Sequence, residues 1–119
     1  WQPAERLPEL YRRARALVFP GIEDFGLAPL ECQAIGRPVV GYAAGGLLET
    51  VKPLGADSAA TGVLYDDPTV DGLVAALETL RRHEASFEPA RLREHASAFR
   101  RERFSRELRA FAEMEPPRC

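Results

Sequence analysis

The sequence predicts an α/β fold in which a short parallel sheet lies between helices, as in part of a doubly wound domain. Two apolar runs without polar alternation, residues 16–19 and 38–42, are typical of strands buried on both faces. A helical segment over residues 28–35 separates them, and this order favours a right-handed parallel crossover. Three predicted strands are few, because sheets average about five or six. We therefore expect residues 1–119 to be a single partial domain.

The remaining elements follow from local signals. Pro8 at a first helical position predicts a helix over residues 7–14, and Pro29 and Gly36 bracket the helix between the strands. After the second strand we expect a Gly45-Gly46 turn, a short helix over 47–51, a loop over 52–60 and a third strand over 62–65.

Two helical segments close the chain. Asp66 and Asp67 are expected to cap a helix whose apolar stripe consists of Val70, Leu73, Val74, Leu77 and Leu80. One long Arg-rich helix is expected from Pro89 to about Met114, stopped by the prolines at 116 and 117. Its apolar side consists of Leu92, Ala96, Phe99, Phe104, Leu108 and Phe111.

Composition excludes several classes of protein. A net charge of −2 gives no reason to expect nucleic acid as a partner. No apolar run approaches the length of a membrane span, and no export signal is visible, so a cytoplasmic location is expected. Cys32 and Cys119 are expected to be free thiols of a reducing compartment.

Two acids, Glu23 and Glu31, bracket a turn that follows the first strand. Ligands of open α/β sheets bind beyond the carboxyl ends of the strands, where residues 23–27 are placed. Gly26 lets the backbone approach a ligand, and free N–H groups of the next helix favour a polar or anionic one. With Glu31 in the first helical turn, both carboxylates suit a polyhydroxylated ligand such as a sugar or a ribose. The alternative is that Glu31 only stabilises the helix and Glu23-Asp24 is a solvated pair.

The segment VFPGIEDFGLAPLECQAIGRPVVGYAAGGLLETV, residues 18–51, resembles the donor-site signature of retaining glycosyltransferases of family 4, which have the GT-B fold. That family carries two glutamates separated by seven residues, matched by Glu23 and Glu31. Further similarity lies in Gly36-Arg37-Pro38-Val39, in residues 61–65 and in HASAFRRERF at residues 95–104. The resemblance implies a three-layer Rossmann-like half-domain, the C-terminal part of a nucleotide-sugar-binding domain.

The resemblance also implies roles for individual residues. Glu23 would be the catalytic carboxylate that holds hydroxyls of the donor sugar, and Glu31 would hold the ribose. The backbone of Phe25, Gly26 and Leu27 would meet the sugar and the diphosphate, with Asp24 in the same donor-binding set. Gly45 and Gly46 would only keep the cleft wall small. Neither a metal nor a cofactor is expected beside the nucleotide-diphosphate sugar.

Within the family, EDFG at residues 23–26 and GGLLETV at 45–51 resemble bacterial mannosyltransferases. This favours GDP-mannose as donor and transfer of a hexose, with retention, to a glycan or lipid acceptor. The full-length protein would be cytoplasmic or peripheral to the inner membrane.

The chain departs from the family pattern in what it lacks. We expect that the chain does not include the family's N-terminal acceptor domain or the first half of its donor domain, which carries the Arg and Lys that would hold the diphosphate. Lys52 and Arg37 are not in matching positions, so the chain alone is expected to be inactive. Its last helix would be partly bare, which predicts self-association. The alternatives are a non-catalytic protein-interaction module and an unrelated α/β domain with an accidental Glu pair.

A few further residues are not assigned to the candidate donor site. We expect His83 and His95 to be surface histidines, and Trp1 and Tyr11 to be packing residues. Glu49 either reaches the cleft or lies in a solvated turn. The arginines between 91 and 109 are expected to form a salt-bridged exposed face with Glu94, Glu102 and Glu107.

Overall fold

A computed structural model describes residues 1–55 and 59–114, and within them three parallel strands form one sheet. The strands are β1 (Leu17–Phe19), β2 (Val39–Tyr42) and β3 (Gly62–Tyr65), in the order β1-β2-β3. In the register, Val18 lies opposite Val40, and Val40 lies opposite Val63. The predicted short parallel sheet is confirmed.

Helices cover both faces of this sheet. One core cluster joins Val39 of β2 to Cys32 and Leu47, and the other joins Val40 of β2 to Ala76 and Leu80. These clusters place the first three helices on one face and the fourth on the other, which gives the three predicted layers. The helices are α1 (Leu7–Arg13), α2 (Leu27–Ala34), α3 (Leu47–Thr50), α4 (Val70–Arg82), α5 (Pro89–Ser97) and α6 (Arg101–Glu113). None of these helices is long and apolar enough to cross a membrane.

The prediction of one long helix over residues 89–114 is wrong, because the structure has two helices there. Arg100 has extended backbone, with φ −67° and ψ 151°, and this separates α5 from α6. Phe99 lies in the joint and is partly buried, whereas Phe104 and Phe111 on α6 are exposed. The apolar positions are three or four residues apart on each side of the break but five apart across it, from Phe99 to Phe104, a signal that the prediction of one helix overlooked. The prolines at 116 and 117 lie outside the described residues.

The predicted cap of α4 is also wrong. Thr69, directly before the helix, accepts a hydrogen bond on Oγ1 from the backbone N–H of Gly72 at 3.1 Å. Asp66 and Asp67 are exposed and lie too early in the chain to cap this helix. The stripe on α4 is covered only in part: Ala76 and Leu80 are buried, and Val70, Val74 and Leu77 are exposed.

The first strand is less buried than its apolar sequence predicts. Val18 is 42% exposed, and it lines a shallow cavity together with Leu77 of α4. The physical reason is position, because β1 is at an edge of the sheet and α4 packs against β2 and β3. A partial domain would have such an uncovered edge, but the domain boundary itself stays a prediction.

Other predicted packing residues have mixed outcomes. Tyr11 packs against the cluster around Cys32 and Leu47, as expected, whereas Trp1 is fully exposed. Cys32 is a free, buried thiol, and desolvation raises its pKa to about 11, so it stays neutral. Cys119 lies outside the described residues.

Candidate functional site

At the carboxyl edge of the sheet, the loop after β1 (residues 20–26) packs directly on the turn after β2 (residues 43–46). The backbone N–H of Gly46 donates a hydrogen bond to the carbonyl oxygen of Glu23 at 2.6 Å. A Cβ atom on Gly45 would collide with that same carbonyl oxygen, and one on Gly46 with the backbone of Phe25. The two glycines therefore do more than keep a cleft wall small, since they let two backbone segments touch.

The loop ends at Gly26, which begins α2 in a left-handed conformation. Its φ of 93° and ψ of 62° are readily adopted by glycine, and the residue is buried. A Cβ atom there would lie 3.6 Å from Oγ1 of Thr50 in α3. Gly26 thus allows both the tight backbone turn before α2 and the contact of this turn with α3.

This loop exposes backbone donors. Leu27 and Ala28 open α2 without a side-chain cap, and Pro29 has no N–H. In the hydrogen bonds found among residues 1–55 and 59–114, no backbone N–H of residues 21–28 is a donor. The start of α2 therefore presents several N–H groups to any ligand at this edge, and such groups favour an anion or a sugar oxygen.

The two acids lie in different surroundings. Glu23 and Asp24 are exposed on the loop, and their side chains form no ion pair within the described part of the chain. Because α2 begins at Leu27, Glu31 is in its second turn rather than its first, and the expected stabilisation by the helix N-terminus does not apply. Glu31 instead accepts a hydrogen bond on Oε2 from the Tyr11 hydroxyl at 3.3 Å.

Tyr11 is a partner of Glu31 that the sequence reasoning missed. Burial raises the pKa of its hydroxyl, and the nearby Glu31 carboxylate raises it further, so the hydroxyl keeps its proton and donates. Both residues border a cavity of about 280 Å³, which does not include Glu23 among its lining residues. The sequence offered one signal for this contact: the apolar side of α1 carries a tyrosine, whose hydroxyl needs a hydrogen-bond partner.

On the other side of the loop, an aromatic series connects Phe25 to the C-terminal helices. The Phe25 ring meets Phe99 edge-on, with centroids 6.2 Å apart, and Phe99 meets His95 edge-on at 5.4 Å. His95 Nε2 lies 2.9 Å from the carbonyl oxygen of Thr50. The expectation of a surface role is therefore wrong for His95, which is partly buried, whereas His83 is exposed as predicted.

Acids and bases near this series are mostly solvated. Glu49 is exposed in the first turn of α3 and borders a cavity of about 260 Å³ with Phe25, Phe99 and Arg100. Its side chain is solvated and also lies beside the loop, so it has features of both alternatives, a position at the cleft and a solvated turn. Among the described residues, no group of three or more His, Cys, Asp or Glu side chains is placed to hold a metal ion.

The two candidate cations for a diphosphate are engaged elsewhere. The Arg37 guanidinium donates to the carbonyl oxygen of Arg12 at 2.7 Å, at the end of α1. Lys52 borders a different cavity, together with Glu88 and Arg91. That neither residue occupies a diphosphate-binding position stays a prediction.

The expected salt-bridged face of the C-terminal helices is present. Arg91 pairs with Glu88 and Glu94, each at 3.9 Å, and Arg103 pairs with Glu107 at 2.6 Å. Glu102 forms no pair that the structure describes. These pairs are exposed, so each contributes little to stability.

Comparison with known proteins gives a consistent family match. The family model described as "Glycosyl transferases group 1" matches residues 1–100. Two similar curated proteins are D-inositol 3-phosphate glycosyltransferases: that of Salinispora arenicola is 40% identical, with 72% of this chain covered, and that of Mycobacteroides abscessus is 38% identical, with 82% covered. The chain spans 21% of the length of each.

Solved structures agree on the fold. The sucrose-phosphate synthase (tll1590) of Thermosynechococcus elongatus superimposes with a TM-score of 0.76 at 29% identity, covering 91% of this chain and 27% of that one. Anabaena HepE, solved in complex with UDP and glucose, superimposes with a TM-score of 0.65 at 21% identity, covering 94% and 30%. The predicted Rossmann-like GT-B architecture is confirmed by these neighbours.

Proposed function

Since the chain belongs to the group 1 glycosyl transferase family, we propose that its loop after β1 forms one side of a nucleotide-sugar donor site. The whole protein would transfer a hexose from a nucleotide-diphosphate sugar, with retention. The chain would supply the C-terminal part of the donor-binding domain. The unrelated-domain alternative is excluded by the family match.

The observation that carries this proposal is the contact between Glu23 and Gly46. Their 2.6 Å hydrogen bond fixes the loop after β1 on the turn after β2, at the carboxyl edge of the sheet. Ligands of parallel α/β sheets bind at this edge. The contact leaves the Glu23 side chain exposed and the N–H groups at the start of α2 without partners within the described chain.

The proposed chemistry follows from these groups. The Glu23 carboxylate would accept hydrogen bonds from hydroxyls of the donor sugar, next to the reacting carbon. The N–H groups around Gly26 and Leu27 would meet the sugar and the diphosphate, and Glu31 would accept from the ribose. Asp24, beside Glu23, belongs to the same set.

A leaving diphosphate requires positive charge that Arg37 and Lys52 do not supply in this proposal. Fixed cations stabilise developing negative charge in such sites, and here Arg37 is bonded to the end of α1. We propose that the missing half of the donor domain supplies these cations. The chain alone would then bind donor weakly and would not turn over.

Donor and acceptor identity remain proposals. GDP-mannose is the donor favoured by the EDFG and GGLLETV segments, but the similar curated proteins are not named for mannose. Their name, D-inositol 3-phosphate glycosyltransferase, supports an inositol phosphate as acceptor. We propose this class of acceptor ahead of a glycan or a lipid.

A second candidate function is a non-catalytic interaction module. It is favoured by α6, where Phe104, Leu108 and Phe111 are 62%, 51% and 73% exposed, and by Met114 directly after it, which is 69% exposed. A surface of this kind is typical of a contact with another protein segment. Donor binding by the chain would distinguish the two candidates.

The test is a ligand-observed NMR titration with GDP-mannose, UDP-glucose and UDP-N-acetylglucosamine. The chain is compared with Glu23→Gln and Glu31→Gln, and the control is Glu94→Gln, which removes an exposed carboxylate from α5. We expect saturable binding of one donor that the control retains and the other two variants lose. If a folded sample binds none of the donors, the proposal that this chain forms a working part of the site fails.

A further inference from the structure

We infer that Phe99 and His95, at the joint between α5 and α6, are positioning residues for the loop after β1. The inference rests on the proposed function only in regarding that loop as part of a donor site. Neither residue is proposed to touch a ligand. Their role is to hold Phe25, and with it the N–H groups that follow, in one position.

The loop needs such support because its own hydrogen bonds are few. The described backbone bonds that involve residues 20–26 are the one between Gly46 and Glu23, and the one from Leu30 N–H to the Gly26 carbonyl. The Glu23 and Asp24 side chains are exposed and have no described partner. A loop restrained at two points relies on side-chain packing for the rest of its order.

Phe25 provides that packing. Its ring lies at 67° to the ring of Phe99, with centroids 6.2 Å apart, and the ring of Phe99 lies at 70° to that of His95. Edge-to-face pairs of this geometry stabilise a contact beyond the area they bury. Phe99 is thus held between the loop residue Phe25 and the helix residue His95.

His95 in turn is fixed by a backbone oxygen. Its Nε2 lies 2.9 Å from the Thr50 carbonyl oxygen, which also accepts from Gln33 Nε2 at 3.1 Å. A carbonyl oxygen can only accept, so His95 Nε2 carries a hydrogen and donates. The orientation of the His95 ring is therefore set by the end of α3.

The same residue of α3 also reaches the other support of the loop. Thr50 Oγ1 donates to the carbonyl oxygen of Gly46 at 2.9 Å, and Gly46 N–H holds Glu23. The two supports of the loop, the Gly46 hydrogen bond and the Phe99 contact, thus both depend on Thr50. The Phe99 contact therefore joins the loop to the joint between α5 and α6, which is distant from it in the sequence.

The test is backbone 15N relaxation measured by NMR, without ligand, on Phe99→Ala. The matched control is Phe111→Ala, because Phe111 is the same residue type on α6, is exposed, and forms no described aromatic pair. We expect the order parameters of the N–H bonds of residues 22–28 to fall from values typical of rigid backbone, about 0.85, to below about 0.6 in Phe99→Ala. The order parameters of β2 and β3 should not change, and the control should match the unmodified chain.

Unchanged order parameters in the loop overturn the inference, and so does an equal fall in β2 and β3, because a merely structural role of Phe99 predicts that uniform change. If Phe99→Ala does not fold, His95→Ala replaces it, with His95→Gln as the conservative variant. His95→Gln keeps an N–H donor for the Thr50 carbonyl but not the ring that meets Phe99, so its loop should be more ordered than that of His95→Ala. The measurement contains no nucleotide sugar, so a failure to bind donor leaves its outcome intact.

Discussion

The hydroxyl of Tyr11 donates a hydrogen bond to Glu31 across 3.3 Å and so ties α1 to the second turn of α2. The bond engages Oε2, and Oε1 has no partner among the described hydrogen bonds. A carboxylate held at one oxygen has a fixed direction and keeps acceptor capacity for a ligand. Tyr11 therefore orients the acid proposed to bind the ribose.

Replacement of Tyr11 by phenylalanine removes this bond and keeps the ring. We expect donor affinity to weaken about two- to fivefold, because Glu31 loses its direction but not its charge. The free energy of unfolding should fall by less than about 1 kcal/mol, since the carboxylate is exposed. NMR titration and urea unfolding measure the two effects. Tyr65→Phe is the control, and an equal loss of affinity there would contradict the assignment.

Gly46→Ala tests the contact that joins the loop after β1 to the turn after β2. Gly46 has φ −63°, which alanine adopts freely, so the cost comes from the collision of Cβ with the Phe25 backbone. We expect the variant to lose about 2–4 kcal/mol of stability and to displace the loop.

Gly55→Ala is the comparison for Gly46→Ala. Gly55 has φ 85°, and no atom of the described residues lies within 4 Å of a Cβ atom there, so backbone strain of about 1–2 kcal/mol is expected. Urea unfolding measures both variants, and chemical shifts of residues 22–26 report the loop. If Gly46→Ala is no less stable than the unmodified chain, the close packing described at this position is wrong.

The sequence was sufficient to predict the parallel sheet, because unbroken apolar runs and glycine-bounded helices are local signals. It was also sufficient to place residues 23–27 at the carboxyl edge, because topology determines that position. It was insufficient for the partners of His95 and Tyr11, which come from elements 45 and 20 residues away. Such contacts depend on how helices pack, and no local pattern encodes them.

The break between α5 and α6, in contrast, had a local signal that the prediction of one helix overlooked. Apolar positions lie three or four residues apart from Leu92 to Phe99 and from Phe104 to Phe111, but five residues separate Phe99 from Phe104. The extended backbone of Arg100 ends the helical run directly after Phe99, whose ring contacts Phe25. The prediction that Glu31 lies in the first turn of α2 was wrong for a smaller reason. The helix begins at Leu27 rather than at Ala28, and this shift of one residue places Glu31 in the second turn.

Thr69→Ala tests the observed cap of α4. The variant removes the oxygen that accepts from Gly72 N–H, and we expect a loss of about 1 kcal/mol. Asp67→Ala, which removes the residue predicted to cap this helix, should change stability by less than half of that amount. Urea unfolding of the two variants side by side gives the comparison. A larger loss in Asp67→Ala would restore the sequence-based cap.

The exposed stripe of α6 predicts self-association of the chain. Sedimentation velocity over a range of concentrations should show a dimer that weakens at least tenfold when Leu108 and Phe111 are both replaced by glutamate. A control with Arg106 and Arg109 replaced by alanine keeps the apolar stripe and should still associate. A monomer at every concentration would refute self-association through this helix.

The buried thiol of Cys32 predicts how stability depends on alkaline pH. Desolvation raises its pKa from 9.0 to about 11 in the folded chain, so the unfolded chain releases this proton first. The contribution of Cys32 is therefore fully present below pH 9 and is lost as pH rises through 11, with a total on the order of 2 kcal/mol.

The measurement is urea unfolding at several pH values for the chain and for Cys32→Ala. Cys32→Ala is less stable at neutral pH because it leaves a small cavity, so the difference between the two proteins should shrink between pH 9 and 11. A constant difference would mean that the folded thiol titrates normally, and that solvent reaches Cys32.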